Sequence, residues 1–154
     1  WSIMPWRGKK IPLFSEEICI CHNEPFKFED LENMPTIGYR NTSELVIDLY
    51  LQWWHDHFST PPQAGGTRVD TPDIAYELAL VGLGPAFLPK FLVVNSKEKN
   101  FFSYDLKFKD GSPLTRDTTV FLDEESEKLP LVSAFLKFLA DYDFDSFQKN
   151  YKSK

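Results

Sequence analysis

Cysteine is nearly absent: Cys19 and Cys21 are the only two in 154 residues. A disulfide framework of the kind that staples small secreted domains is not available to such a chain. The two thiols stand two positions apart between Ile18 and Ile20, so they read as small buried hydrophobes rather than as a disulfide or a metal pair. No apolar run reaches the ~18 residues a spanning helix needs. No basic segment followed by an apolar one opens the chain, so no signal peptide is expected. A basic stripe is also missing. The formal net charge is −6, and the nearest approach to a cationic patch is Arg7, Gly8, Lys9 and Lys10. The chain by itself is therefore not expected to grip nucleic acid. Gly-x-x-x-x-Gly-Lys-Ser/Thr and Gly-x-Ser-x-Gly do not occur, which removes the usual phosphate loop and nucleophile elbow. His55 and His57, two apart on a helical pattern, face different ways, and Cys21 beside His22 pairs no better. No spacing suits zinc, and no cofactor is expected. Asp123, Glu124, Glu125 and Glu127 form an acidic run, read as a solvated loop leading into the last helix.

What is present is apolar and aromatic. Hydrophobic residues make up 42% and aromatics 16%, enough for a packed core in one domain or two small lobes. The densest signal is Val69 to Val93. Val69 closes a strand. Thr71 suits an N-cap, Pro72 the first helical position, and Asp73 the positive end of the helix dipole. Ile74, Leu78 and Val81 recur at helical spacing. Gly82 and Gly84 stop the helix, and Ala86, Phe87 and Leu88 form a short strand ended by Pro89. A strand–helix–strand unit places its two strands parallel in one sheet.

Around this unit, residues 1–12 read as a connector, with Trp1 to Trp6 finishing an earlier strand. Phe14 to Cys21 reads as strand, Glu24 to Asn33 as a short helical turn, and Thr36 to Tyr39 as strand. Asn41 to Phe58 is predicted as a helix, opened by a capping-box pattern of Asn41 with Glu44. Ser59 to Gly66 is a loop and Thr67 to Val69 a strand. Lys90 to Val94 is one helical turn. Phe101 to Phe108 and Thr118 to Leu122 are strands, Leu129 to Tyr142 is a helix, and the tail from 145 to 154 is expected to fray. The alternation argues an α/β fold: a mostly parallel sheet with helices on both faces.

Val69-Asp70-Thr71, then a helix, then Gly82-Leu83-Gly84, then an apolar strand and Leu88-Pro89, resemble the signature of the effector-binding domain of LysR-type transcriptional regulators. The resemblance reaches from about Ile11 to Tyr142. It implies a periplasmic-binding-protein-like (type 2) lobe architecture, two α/β lobes joined by crossover strands with a ligand cleft between them. Residues 1–12 would be the crossover from a missing or partial first lobe. Residues 13–100 would form the second lobe, and 101–144 the return crossover and the end of the first. The winged helix-turn-helix of the family is absent, and the chain opens on Trp1, so a fragment of something longer is favoured over a processed product.

The site residues follow from the same reading. Ligands of open α/β sheets sit outside the carboxyl ends of strands. Thr71 stands at such an end, where the family often places a hydroxyl facing the effector; a pure capping role is the competing and compatible reading. Asn41, Thr42 and Ser43 open the next helix, where free N–H groups attract an anion, against the plainer alternative of a capping box. Arg40 is adjacent. Ser2, Met4 and Trp6 lie on the expected crossover and are weaker candidates. The expected function is the sensing of a small-molecule effector, with a carboxylate favoured, by a non-enzymatic cytoplasmic regulator. The domain is expected to form homo-oligomers and to meet DNA only through a winged helix-turn-helix outside this chain. The rivals are a solute-binding lobe of a transport system and an α/β enzyme lobe.

Overall fold

The structure, a computed structural model, describes residues 6–40, 44–95 and 101–151; of residues 44–46 and 64–66 only the backbone is described. The chain divides into two compact units, Glu16–Arg116 with Tyr151–Lys154, and Trp1–Ser15 with Asp117–Asn150.

The larger unit is built on a mixed sheet. Strand β1 (Lys9–His22) runs through it, followed by a 3-10 turn (Phe28–Asn33), β2 (Thr36–Tyr39), α1 (Glu44–His57), β3 (Ala64–Val69), α2 (Pro72–Leu80), β4 (Ala86–Pro89), α3 (Lys90–Val94) and β5 (Phe102–Asp105). The strand order is β3-β2-β4-β1-β5, and β6 (Thr115–Leu122) pairs with β1. β2 lies between β3 and β4 and is parallel to both, so β3 and β4 point the same way without touching. The parallel expectation holds for these three strands. β1 runs antiparallel to β4 and β5, because the chain returns past the sheet rather than crossing over another helix.

Alternation in β1 explains why helices cover both faces. Ile18 and Ile20 point to one side and Cys19 and Cys21 to the other, as a period of two requires. Ile18 and Ile20 join Leu31, Phe87 and the α1 residues Trp53 and Trp54 in one cluster. Cys19 and Cys21 join Ile37, Val69 and Leu88 with Ala75, Tyr76 and Ala79 of α2 in the other. Trp53 and Trp54 are fully covered. Their indole nitrogens donate to Lys107 O at 2.9 Å and Thr60 O at 2.7 Å, so neither buried N–H is orphaned. The cysteine thiols are free and point at the carbonyls of Leu88 and Ala86, both at 3.5 Å. Burial first, and then neighbouring Cys19, push the Cys21 thiol far above its ordinary value. Glu16 is buried beside β1's Ile18 face and is held by the guanidinium of Arg116. That pairing lets a carboxylate sit in the interior.

The smaller unit carries the rest of β6, then α4 (Glu124–Glu127), α5 (Pro130–Asp141) and α6 (Phe144–Asn150). Three readings need correction. The acidic run is a helical turn, because Asp123 accepts hydrogen bonds from the Ser126 N–H and hydroxyl. The expected frayed tail is helical from Phe144 to Asn150. Asp143 caps it through the Ser146 N–H at 2.9 Å, and the Phe144 ring stacks on Phe14 at 4.9 Å. The connector over 1–12 is strand from Lys9 onward.

Candidate functional site

The register of β2 and β3 decides what stands at the carboxyl edge of the sheet. Tyr39 pairs with Val69, and the Arg40 N–H donates to Val69 O at 2.9 Å. The two parallel strands therefore end side by side, and each feeds a helix. Thr71 is the N-cap of α2: its backbone is extended, at φ −134° and ψ 153°, and its Oγ1 accepts from the Ile74 N–H at 3.5 Å. The side chain is exposed, and its hydroxyl stays free to donate as well. Pro72 opens the helix and Asp73 lies in its first turn. Asp73 accepts from the Tyr151 hydroxyl at 3.3 Å, and burial followed by the Asp73 charge pushes the Tyr151 phenol up.

The far end of α2 is closed by glycine. The Gly82 N–H donates to Ala79 O and the Leu83 N–H to Leu78 O, with Gly82 at φ 80° and Gly84 at φ 151°. That close brings the chain back so that the Ile37 N–H donates to Pro85 O at 2.9 Å, which seats β4 against β2. Lys90 follows β4 at the same edge. Its ammonium bonds Asp105 at 2.7 Å and Glu17 at 2.9 Å, which together hold its pKa up to about 12. Its charge is therefore already matched, whereas Arg40 is exposed and makes no ion pair among the described residues.

Of the other candidates, Asn41, Thr42 and Ser43, and likewise Ser2 and Met4, lie outside the described residues. Trp6 is half-exposed in the smaller unit, where its Nε1 donates to Lys9 O and its ring meets Phe121 edge-on at 5.9 Å. Thr71 thus stands exposed at the end of β3, where it caps α2, and Trp6 makes its described contacts within the smaller unit. His57 stacks on Trp53 with ring centroids 4.8 Å apart, and its Nδ1 lies 2.9 Å from Trp53 O. Among the described residues no three His, Cys, Asp or Glu side chains converge on a point suited to a metal ion.

A hollow of about 450 Å³ that the sequence did not announce lies in the larger unit, between α1 and the β2–β3 face of the sheet. Ile47, Tyr50, Leu51 and Trp54 form its helix wall, and Gly38 and Arg68 lie on its sheet side. Thr71 does not line it. The Tyr50 ring stacks on Phe87 at 5.1 Å, and burial pushes its phenol up to about 12.

With this geometry in hand, the relatives are informative. A family model described as the LysR substrate binding domain matches residues 7–143. The chain is 28% identical over 134 residues to an HTH-type transcriptional regulator, YraN, of Bacillus subtilis (strain 168), covering 87% of this chain and 45% of that protein. The chain thus spans about half the length of the curated relatives it matches. Among solved structures, it is similar to the C-terminal domain of a probable LysR family transcriptional regulator from Rhodococcus sp. RHA1. That match has a TM-score of 0.62 at 13% identity and covers 91% of this chain and 70% of the other. It is also similar to the effector binding domain of QuiR in complex with shikimate, with a TM-score of 0.61 at 15% identity, covering 89% of this chain and 66% of that one. These structural likenesses fix the fold, and no helix among the described residues is long and apolar enough to cross a membrane. The signature at 69–93, the open α/β sheet and the family match over most of its length agree that the chain belongs to the LysR substrate-binding domain family, the effector-sensing domain of LysR-type transcriptional regulators.

Proposed function

We propose that this domain binds a small carboxylate effector at the carboxyl edge of β3, β2 and β4, and that the bound ligand changes how a whole regulator presents a DNA-binding domain. The observation that carries the proposal is the Tyr39–Val69 register, which ends two parallel strands side by side. Thr71 supplies an exposed hydroxyl donor just beyond β3 and Arg40 an exposed cation just beyond β2. Asn41, Thr42 and Ser43 follow Arg40 in the chain and extend the proposed contact set by their position. An anion there meets N–H groups at a helix start and the positive end of a helix dipole. The shikimate of the QuiR domain is a small carboxylate, which supports the ligand class.

The proposed role involves no bond chemistry. A ligand with different affinity for two arrangements of the full protein shifts their balance by that difference. In this reading the domain works in the cytoplasm as a homo-oligomer and reaches DNA through a helix-turn-helix outside this chain.

Titration of the 15N-labelled protein with a panel of small carboxylates, shikimate included, tests the proposal. Saturable shifts should gather at the amides of Arg40, Asp70, Thr71 and Asp73. A ligand present at ~100 times its dissociation constant should also add about 2.7 kcal/mol of stability. A carboxylate that binds saturably while leaving those amides unmoved would overturn the assignment.

A further inference from the structure

We infer that the hollow beneath α1 is a second ligand site, distinct from the carboxyl edge, and that it accepts a flat aromatic carboxylate. Its volume, about 450 Å³, lies within the range of small-molecule sites. The space exists because β2 has no side chain where α1 passes over it. Gly38 stands there, paired in register with Arg68 of β3. A Cβ built on Gly38 would meet nothing closer than Arg68 Cγ at 3.6 Å and Thr67 O at 3.9 Å, so the floor is open rather than tightly filled.

The opposite wall is apolar and partly wet. Ile47 and Leu51 remain 41% and 36% exposed, although both line the hollow, the half-buried Tyr50 adds aromatic surface, and the covered Trp54 backs the wall. Large apolar side chains lining a concave surface, with polar side chains from Thr36, Gln63, Thr67 and Arg68 beside them, describe a ligand pocket better than a solvated surface.

The polar group that sets the ligand's charge is Arg68. It is the one cationic side chain among the lining residues, and no carboxylate pairs with it among the described residues. A guanidinium presents a planar fork that matches a carboxylate through two parallel hydrogen bonds. The occupant that satisfies both halves of the site places an aromatic ring between the Gly38 floor and the wall of Ile47, Tyr50 and Leu51, with its carboxylate on Arg68. A polyhydroxylated acid would leave the apolar wall poorly matched, which separates this site chemically from the carboxyl edge.

The test uses 2-naphthoate and its uncharged amide, 2-naphthamide, against the 15N-labelled chain. 2-Naphthoate should give saturable shifts at the Gly38 and Leu51 amides and the Trp54 indole N–H. Loss of the charge match, through 2-naphthamide or through Arg68→Gln, should weaken binding about tenfold. Gly38→Val fills the floor with a side chain that extended backbone accepts well. It should abolish binding while leaving the folded spectrum intact. The inference is overturned if 2-naphthoate shows no saturable binding, if Gly38→Val binds as the parent does, or if the shifts gather at Arg40 and Thr71 instead. Because those last shifts would support the carboxyl-edge reading, the two ideas fail separately.

Discussion

Replacing Gly84 with alanine should destabilise the larger unit far more than the same change at Gly82, though both close the same helix. Gly84 adopts φ 151°, and a Cβ there would lie 2.4 Å from the backbone oxygen of Pro35. Neither atom belongs to a flexible side chain, so the Gly84–Pro85 link must move away from the start of β2. The Ile37 N–H to Pro85 O bond at 2.9 Å goes with it. Backbone strain of this kind costs roughly 1–3 kcal/mol, and the lost hydrogen bond about 1 kcal/mol. The stiffer unfolded chain returns about 0.4–1 kcal/mol, which leaves a net loss of about 1–3.5 kcal/mol. At Gly82 the added Cβ meets the side chain of Asn23 at 2.9 Å, which can swing aside. Its φ of 80° then costs about 1–2 kcal/mol before the same offset. Urea unfolding followed by tryptophan fluorescence reads both, since Trp53 and Trp54 are buried in the unit concerned. With a slope of about 1–3 kcal/mol per molar urea, Gly84→Ala should lower the midpoint by roughly 1–2 M. A Gly84→Ala protein as stable as Gly82→Ala would refute the claim that the second glycine is required by the β2–β4 seat.

Two further outcomes follow from the interior. Arg116→Met strands the buried Glu16 carboxylate and should cost about 3–5 kcal/mol, whereas Glu16→Met with Arg116→Met should recover most of that loss; equal losses in denaturant titrations of the two proteins would contradict the pairing argument. Cys19 and Cys21 are covered, and burial raises the Cys21 thiol, so the reactive thiolate is scarce at pH 8. A thiol reagent should therefore find almost nothing in the native chain and two groups after denaturation; fast native labelling would show that this face of the sheet is open.

The elements that were legible in the sequence are those whose signals are local. Thr71, Pro72, Gly82 and Pro89 punctuate α2 and β4, and all four act as read. β2 falls on Thr36–Tyr39 as expected. The misread segments had signals that were present but outweighed. Asp123 and Asp143 are N-caps standing three residues before the serines they bond, yet the charge run around one and the chain end after the other suggested loop and fraying. The β1 start at Lys9 was obscured by Lys9, Lys10 and Pro12, which suit an exposed segment better than a buried one. The mixed character of the sheet was not legible at all, because the direction of β1 depends on its partners β4 and β5 rather than on its own pattern.

The site divides in the same way. A hydroxyl at a strand end is a property of a few consecutive residues, so the position of Thr71 at the start of α2 was legible. The hollow under α1 depends on what is missing at Gly38 and on which residues of a distant helix pass above it, and no linear pattern records that.

Thr71 offers the most direct test of the account. Aspartate is at least as good an N-cap as threonine, so Thr71→Asp should keep α2 and the ligand-free melting temperature. It also sets a negative charge where the effector's carboxylate is proposed to lie, while Thr71→Ser keeps the hydroxyl. For a carboxylate that stabilises the parent chain, the account predicts that Thr71→Ser retains the ligand-induced rise in melting temperature and that Thr71→Asp loses most of it. A full rise in Thr71→Asp would contradict the placement of the effector at this strand end.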